Sequence, residues 1–246
     1  MGNRFKAALA AIAVSAALVA PQAARALDDA QKQEFGAFIR EYLLANPELV
    51  EEMQQTLELK RSKAAIDGNA DRIFRAEGDI VLGNPAGDVT VVEFFDYNCG
   101  YCKRALPDMT RIIENDPKVR FVLKEFPILG PDSLAAHRVA MSFRKLMPEK
   151  YQEFHMTLLS SDVRATEERA IEIATALGAD EAALRAGMDD PAINAGIKDA
   201  YDLADKLGIN GTPSYVVGNE TIFGAMGADV IEQKIANFRT CQSTVC

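Results

Sequence analysis

The sequence predicts an α/β fold in which a long helical block interrupts a sheet and a further helical segment precedes it. Two apolar runs, "VTVVEFF" (89–95) and "VRFVLKEF" (119–126), lie on either side of a helical pattern, as buried parallel strands do around a crossover helix. The stretch 132–207 has helical periodicity and no strand pattern, and the strand pattern returns at 214–223. These three observations predict strand, helix, strand, a helical insertion, and a closing hairpin.

The first residues have the composition of a secretory signal peptide. Arg4 and Lys6 precede the apolar stretch 7–20, and small residues follow at Ala24 and Ala26. The stretch is Ala-rich and shorter than the roughly 20 residues that span a bilayer, so a membrane anchor is the weaker interpretation. We therefore predict cleavage after Ala26 and a periplasmic protein.

Charge and cysteine content narrow the function classes. The chain of 246 residues has a formal net charge of −9, and no basic stripe supplies phosphate contacts, so we expect no nucleic-acid partner. Its 4 cysteines are an even number. In the oxidising compartment that a signal peptide implies, cysteines are expected as disulfides.

The segment 27–76 is predicted to be helical and to mediate oligomerisation. A helical face at 35–43 and another at 50–57 are separated by Asn46-Pro47, which we interpret as an N-cap followed by a first-turn proline. The two apolar faces consist of Phe35, Phe38, Ile39, Tyr42 and Leu43, and of Val50, Met53 and Leu57. Such faces need a partner, either the following domain or another copy of the chain.

The rest of the chain divides into predicted elements at its turn signals. Strands are predicted at 80–82 and 89–95, and a hairpin at 214–217 and 221–223 turns at Gly218-Asn219. Breaks at Met147-Pro148, Ser160-Ser161, Leu177-Gly178 and Asp190-Pro191 divide the insertion into four or five helices. The last helix is predicted at 228–238. Together these strands and helices are predicted to form one domain at 77–240, followed by a tail at 241–246.

The stretch "DYNCGYCKRALP" (96–107) contains two cysteines that could serve haem attachment, zinc or redox chemistry. Haem attachment requires His after the second cysteine, and position 103 is Lys. No second C-x-x-C and no paired histidines complete a zinc site. Redox chemistry remains: Cys99 lies where a strand ends and a helix begins, so the helix N–H groups stabilise its thiolate, and Cys102 follows one turn later.

The surrounding residues resemble the DsbA-like branch of the thioredoxin superfamily. The match rests on "VVEFFDYNCGYCKRALP", with Glu93 at the acidic position and Pro107 in the active-site helix, on the helical insertion, and on "GTPS" (211–214). The resemblance implies a thioredoxin fold with an inserted helical domain. The N-terminal "FIREYLLANPELVEEM" and the later "KEFPILGPDS" are similar to ScsC-like proteins, some of which use the extension to form a dimer or trimer.

The resemblance implies catalytic roles for three residues. Cys99 would form the mixed disulfide with substrate and Cys102 would resolve it. Glu93, with no charged neighbour in its strand, is interpreted as a buried proton-transfer carboxylate whose pKa burial raises. Lys124, on the next strand, is either its partner or a side chain that reaches solvent.

Substrate contacts are expected from the loop before the strand predicted at 214–217 and from the residues between the cysteines. The resemblance implies a cis peptide bond at Pro213, with Thr212 offering backbone groups to an extended substrate. Gly100 and Tyr101 would tune the stability of the thiolate.

The remaining histidines and cysteines are given simpler interpretations. His137 and His155, on predicted helices and without an evident acidic or cysteine partner, are interpreted as ordinary helical residues. Cys241 and Cys246, in a polar tail, are candidates for a structural disulfide.

The predicted function is a thiol–disulfide oxidoreductase without cofactor or metal, acting on cysteines of secreted proteins and recycled by a membrane redox partner. Gly-Tyr between the cysteines and Thr before Pro213 are similar to disulfide isomerases of the DsbC type, which favours isomerase or reductase. A DsbA-like oxidase is the alternative. A non-enzymatic antigen or copper(I)-binding protein with a structural disulfide is the alternative of another class.

Overall fold

The computed structural model describes residues 27–76 and 78–246. The predicted signal peptide, residues 1–26, lies outside the described residues. Among the described residues the elements are α1 (Asp29–Ala45), α2 (Glu48–Asp67), α3 (Ala70–Phe74), β1 (Ile80–Gly83), β2 (Val89–Phe95), α4 (Gly100–Asn115), β3 (Val119–Glu125), α5 (Pro131–Leu146), a 3₁₀ turn (Pro148–Lys150), α6 (Tyr151–Ser160), α7 (Glu167–Ala176), α8 (Glu181–Met188), α9 (Pro191–Lys206), β4 (Ser214–Val217), β5 (Glu220–Phe223) and α10 (Ala228–Cys241).

The five strands form one sheet in the order β1-β3-β2-β4-β5. β2 and β3 are parallel, joined through α4, and the other neighbours are antiparallel. Helices α5–α9 all lie between β3 and β4 in the chain. The α/β fold with a helical insertion is therefore confirmed.

The sheet is covered on both faces because β2 alternates between two apolar clusters. Val91 and Phe95 belong to a core built with α4, α5, α6 and α10, whereas Val92 and Phe94 pack on the other face with residues of α3 and α9. Strands with both faces buried read as continuous apolar runs, which explains "VTVVEFF". Glu93 lies between these residues and shares the face of Val91 and Phe95.

The chain divides into two units, residues up to Glu52 and residues 53–246, with the division inside α2. In the first unit, α1 begins with a capping box at Asp28 and has no buried residue. Its apolar face is exposed, with Phe38 at 62% and Ile39 at 53% of full exposure. In the second unit, Ile66 at the end of α2 and Ile73 of α3 are buried in the domain core.

Two local predictions are wrong. The side chain of Asn46 donates to the carbonyl of Tyr42 at 2.8 Å, so it closes α1 instead of capping α2. Lys124 neither pairs with Glu93 nor reaches solvent: it is partnered with Phe94 in the ladder, on the opposite face from Glu93. There its ammonium group pairs with Asp79 and donates to the carbonyl of Arg72.

None of the helices in the described part of the chain is both long and apolar enough to cross a membrane.

Candidate active site

Cys99 occupies the junction between β2 and α4. It is the N-cap of α4, and its sulfur accepts from the backbone N–H of Cys102 at 3.4 Å. Its thiol also lies 3.0 Å from the carbonyl oxygen of Thr212, to which it can donate. The site therefore joins the start of one helix to the loop that precedes β4.

The two thiols are free and differ sharply in acidity. A hydrogen bond from Cys102, together with backbone N–H groups at the start of α4, lowers the pKa of Cys99 to about 5 against the opposing effect of burial. Burial, then the hydrogen bond to Cys99 and the charge of Glu93, raises the pKa of Cys102 far above its usual range. At neutral pH the pair holds one thiolate, on Cys99, and one thiol, on Cys102.

The residues between the cysteines begin α4 at the surface. Gly100 is its first residue, and Tyr101 is exposed, with the guanidinium of Arg104 stacked 4.2 Å from its ring centre. On the other side of Cys99, the peptide bond between Thr212 and Pro213 is cis, as the resemblance implies. Pro107 lies inside α4, as expected for the active-site helix.

Glu93 is buried in β2 on the side of the sheet that faces the thiols. Its direct neighbour across the β2–β4 ladder is Tyr215, and among the described residues no group donates a hydrogen bond to its carboxylate. Burial, and secondarily the charge of Cys99, raises its pKa to about 8. The carboxyl is thus poised to hold or release a proton near neutral pH.

The polar residues directly before Cys99 tie its loop to the helical insertion, a connection that the sequence interpretation missed. Asp96 accepts from the backbone N–H groups of Asn98 and Leu129 and from the hydroxyl of Ser133. Asn98 exchanges hydrogen bonds with the backbone of Ala165 at 2.8 and 2.9 Å. The signal that could have found them is a polar run, "DYN", placed directly after a fully apolar strand.

The interpretation of the two histidines as ordinary helical residues is wrong, because both are buried in a polar cluster with an acidic member. His137 Nδ1 contacts the carboxylate of Glu125, and His155 Nδ1 lies 3.2 Å from the hydroxyl of Tyr97. Glu125 also accepts from the hydroxyl of Tyr151 at 2.9 Å. The acidic partner comes from β3, so the sequence around either histidine does not reveal it.

Cys241 and Cys246 are bonded to each other at the exposed end of α10. Within the described residues, no group of three or more His, Cys, Asp or Glu side chains is arranged to hold a metal ion.

Comparison with known proteins places most of the chain in two family domains. Residues 90–236 match the DSBA-like thioredoxin domain family. Residues 31–64 match the Copper resistance protein ScsC N-terminal domain.

Three solved structures are similar to most of the chain. A thioredoxin-like oxidoreductase from Silicibacter pomeroyi is 40% identical, covering 70% of this chain and 99% of its own, with a TM-score of 0.68. A linker-deletion and N6K mutant of Proteus mirabilis ScsC is 26% identical, covering 89% and 99%, with a TM-score of 0.70. The thiol-disulfide exchange protein alpha-DsbA2 from Wolbachia pipientis is 31% identical, covering 74% and 98%, with a TM-score of 0.69.

Among curated proteins, the Na(+)/H(+) antiporter NhaA 3 of Salinispora tropica is 24% identical over 157 residues. The match covers 64% of this chain but only 24% of the antiporter's length.

Proposed function

Since this chain belongs to the DSBA-like thioredoxin family of thiol–disulfide oxidoreductases, we propose that Cys99 and Cys102 are its redox pair and that they act on cysteines of secreted proteins. The observation that carries the proposal is the asymmetry of the two thiols: a stabilised thiolate at the helix start, beside a thiol that stays protonated. A pair that only stapled the fold would not need this difference.

The reaction follows from that asymmetry. The Cys99 thiolate attacks one sulfur of a substrate disulfide, and the other substrate sulfur leaves as a thiolate. Cys102 then loses its proton and attacks the Cys99 sulfur, which releases the second substrate thiolate and leaves a disulfide between Cys99 and Cys102. Substrate gains two electrons and the pair loses two; the reverse sequence oxidises a substrate dithiol.

Glu93 is proposed as the proton acceptor for the resolving step. Cys102 must lose a proton before it attacks, and its own pKa is too high for this to occur freely. A carboxyl with a pKa of about 8 has a proton affinity suited to that exchange near neutral pH. The charge of Glu93 acts on Cys102 and that of Cys99 acts on Glu93, so proton movement among the three groups is coupled.

The loop at Thr212 and Pro213 is proposed to hold the substrate chain beside Cys99. The carbonyl of Thr212 already faces the Cys99 thiol at 3.0 Å. A substrate strand that lies along this loop can use its backbone groups while one of its sulfurs approaches Cys99. Gly100 and Tyr101 follow Cys99 at the start of α4, where Tyr101 is exposed for contact.

The direction of exchange is proposed to be isomerisation or reduction, with disulfide formation as the alternative. The Cys99 pKa of about 5 lies between the values of about 7 and about 3.5 that accompany reducing and strongly oxidising members of the superfamily. The thiol alone therefore favours neither side. The exposed apolar face of the N-terminal helices, together with the match of residues 31–64 to the ScsC N-terminal domain, supports the isomerase.

We expect that segment to associate with copies of itself, giving a dimer or trimer. The exposed apolar side chains include Phe35, Phe38, Ile39, Tyr42, Leu43, Val50, Met53 and Leu57. An isomerase gains from several active sites in one particle, because a substrate released by one Cys99 can be recaptured by another at high effective concentration. A location in the periplasm, proposed from residues 1–26, fits the exposed disulfide between Cys241 and Cys246. A membrane redox partner would restore the working state of Cys99 and Cys102.

The enzymatic proposal is tested by insulin reduction with Cys99→Ser. We expect activity in the parent protein and its loss in the variant, because serine is not a redox group. The control is the double variant Cys241→Ser, Cys246→Ser, which should keep the activity. An inactive parent protein that binds copper(I) through the same thiols would instead favour the non-enzymatic alternative.

The direction is tested by oligomeric state and by refolding of scrambled ribonuclease. Light scattering on the chain from residue 27 should give a dimer or trimer, and removal of residues 27–52 should give a monomer. The truncation ends at Glu52 because Ile66 and Ile73 belong to the domain core. The truncated protein should still reduce insulin but isomerise poorly. A monomeric parent protein would favour the oxidase.

A further inference from the structure

One peptide group positions the backbone of Cys99. The carbonyl of Asp96 accepts the N–H of Cys99 at 3.0 Å. The N–H of the same peptide group, belonging to Tyr97, points toward His137 Nε2 at 3.3 Å. Because a peptide group is planar, fixing its N–H also fixes the direction of its carbonyl, and so the hydrogen bond that holds Cys99.

His137 can accept this N–H in only one of its forms. An acceptor nitrogen must carry a lone pair, so the ring is neutral and its proton is on Nδ1. Nδ1 contacts the carboxylate of Glu125, which accepts that proton in a hydrogen bond. An ionised Glu125 therefore selects the tautomer of His137 that can hold the peptide group of Tyr97.

The other members of the cluster donate toward Glu125 as well. Tyr151 donates its hydroxyl proton to the second carboxylate oxygen at 2.9 Å. The Tyr97 hydroxyl lies 3.0 Å from that of Tyr151, and His155 Nδ1 lies 3.2 Å from the Tyr97 hydroxyl. One consistent direction of donation runs from His155 through Tyr97 and Tyr151 to Glu125. Both carboxylate oxygens are thereby paired, as a buried carboxylate requires.

We propose that Glu125 and His137 are positioning residues of the thiol site: they hold the Asp96–Tyr97 peptide group so that Cys99 caps α4 with its sulfur facing the helix N–H groups. Neither residue touches the sulfur, so neither is a catalytic residue. The proposal rests on the proposed function, in which Cys99 is the attacking thiol. The redox steps themselves do not involve this buried cluster, and the proposal gives it a role.

Glu125→Gln tests this role while preserving the shape of the side chain. Tyr151 and His137 face different carboxylate oxygens, and glutamine has an acceptor oxygen at only one of these two positions, so it cannot accept from both in place. With its NH₂ group toward His137, it favours the other tautomer, which places a ring N–H against the N–H of Tyr97. The start of α4 should then shift away from the Cys99 sulfur.

The readout is thiolate absorbance at 240 nm in the reduced full-length protein, followed against pH. Loss of aligned N–H groups should raise the titration midpoint of Cys99 by about one pH unit, the effect of about one hydrogen bond. Removing a negative charge without any movement of the loop would lower the midpoint. A midpoint that falls or does not change would overturn the proposal.

A second pair of variants keeps the test decisive if Glu125→Gln does not fold. His137→Gln places an amide oxygen near the position of Nε2 and can still accept from Tyr97, so its midpoint should stay near that of the parent protein. His137→Asn reaches only the position of Nδ1 and loses that acceptor, so its midpoint should rise. Equal midpoints in the two variants would contradict the proposal.

Ser142→Ala is the matched control for lost stability. Ser142 lies on α5 with His137, and its buried hydroxyl donates to the carbonyl of Leu184 at 2.7 Å, away from the Cys99 loop. This variant should melt at a lower temperature with an unchanged midpoint. This test is separate from that of the proposed function. Full insulin reduction by Cys99→Ser would refute the proposed function, whereas the titration midpoints of Cys99 test only the positioning role of Glu125 and His137.

Discussion

The two cysteine pairs of this chain are similar in sequence spacing and opposite in surroundings. Cys99 and Cys102 are buried at the junction of a central strand and a helix, and both are free. Cys241 and Cys246 lie at the exposed end of α10 and are bonded to each other. Position in the fold separates the pairs: of the two, only the first meets a helix N-terminus, a buried carboxyl and the carbonyl of Thr212.

The asymmetry within the first pair has no counterpart in the second. The start of α4 stabilises charge on Cys99, and burial opposes charge on Cys102. In the proposed reaction this difference sets the order of the steps, with Cys99 meeting substrate first and Cys102 completing the cycle. The following experiments test how far the contrast between the pairs extends.

The largest expected effect is the trapping of substrates by Cys102→Ala. Without the resolving thiol, a mixed disulfide on Cys99 cannot be released by its usual route, so adducts with secreted proteins should accumulate. Non-reducing gels of extracts from cells that produce the variant measure this. Cys246→Ala is the control, since it frees a thiol of the exposed pair. Adducts that persist after Cys99 is also replaced would refute a role for this thiol in trapping.

Alkylation of the reduced protein should separate Cys99 from Cys102 by a factor on the order of 100 at pH 7. With a pKa of about 5, Cys99 is almost entirely thiolate there, while Cys102 is almost entirely protonated and buried. The rate at Cys99 should rise as pH passes about 5 and then level off. Peptide mapping after brief iodoacetamide treatment measures both rates. Equal rates at the two cysteines would break the asymmetry.

Glu93→Gln should stabilise the reduced protein by about 3 kcal/mol at pH 7. The folded-state pKa of Glu93 is raised to about 8 from an ordinary value of 4.5, so the folded protein keeps a proton that the unfolded chain releases. That difference lowers the stability of the parent protein as pH rises from about 4.5 to about 8. Glutamine does not ionise, so the variant does not lose this stability as pH rises. If Glu93 accepts the proton of Cys102, the variant should also slow the resolving step.

Urea unfolding at pH 4 and at pH 7 measures this effect. The two proteins should be close in stability at pH 4 and should differ at pH 7. Glu114→Gln, at an exposed position of α4, controls for the change of side chain. A gap of the same size at both pH values would show that burial of the charge is not its cause.

The smallest expected effect is that of opening the exposed pair with Cys241→Ala and Cys246→Ala. The cysteines are only 5 residues apart in sequence, so the disulfide restricts the unfolded chain little and its loss should cost at most about 2 kcal/mol. Insulin reduction should not change. Thermal unfolding and the insulin assay together measure this, and loss of activity in a folded variant would contradict the separation of the two pairs.

The sequence predicted those features whose signals are local. The run "VTVVEFF" is the strand Val89–Phe95 because a strand buried on both faces needs apolar residues at every position. The breaks in the insertion fall where prolines, glycines and polar pairs end helices, and the structure has five α-helices between Pro131 and Lys206. The placement of Cys99 where β2 ends and α4 begins likewise needed only its neighbours in the chain.

The features that were missed depend on contacts between distant segments. Glu125 of β3 meets His137 of α5 only after the insertion has folded onto the sheet, so neither sequence neighbourhood reveals the pair. Lys124 is expected either beside Glu93 or in solvent, but the register of the adjacent strands puts it on the other face, where it meets Asp79. Asn46 could have capped either adjoining helix, and its local sequence does not decide which.

The insertion between β3 and β4 also bears on the order in which the molecule folds. The pairings of β1 with β3 and of β3 with β2 join segments that are closer in the chain, whereas β4 pairs with β2 only after all of α5–α9 has intervened. Distant pairings pay a larger loop-closure entropy and tend to form late. We expect α4, which Cys99 caps and which contains Cys102, to form first. β4, and with it the loop at Thr212, should dock afterwards. Pulsed hydrogen exchange during refolding, with protection in β3 preceding protection in β4, is the measurement that shows this order.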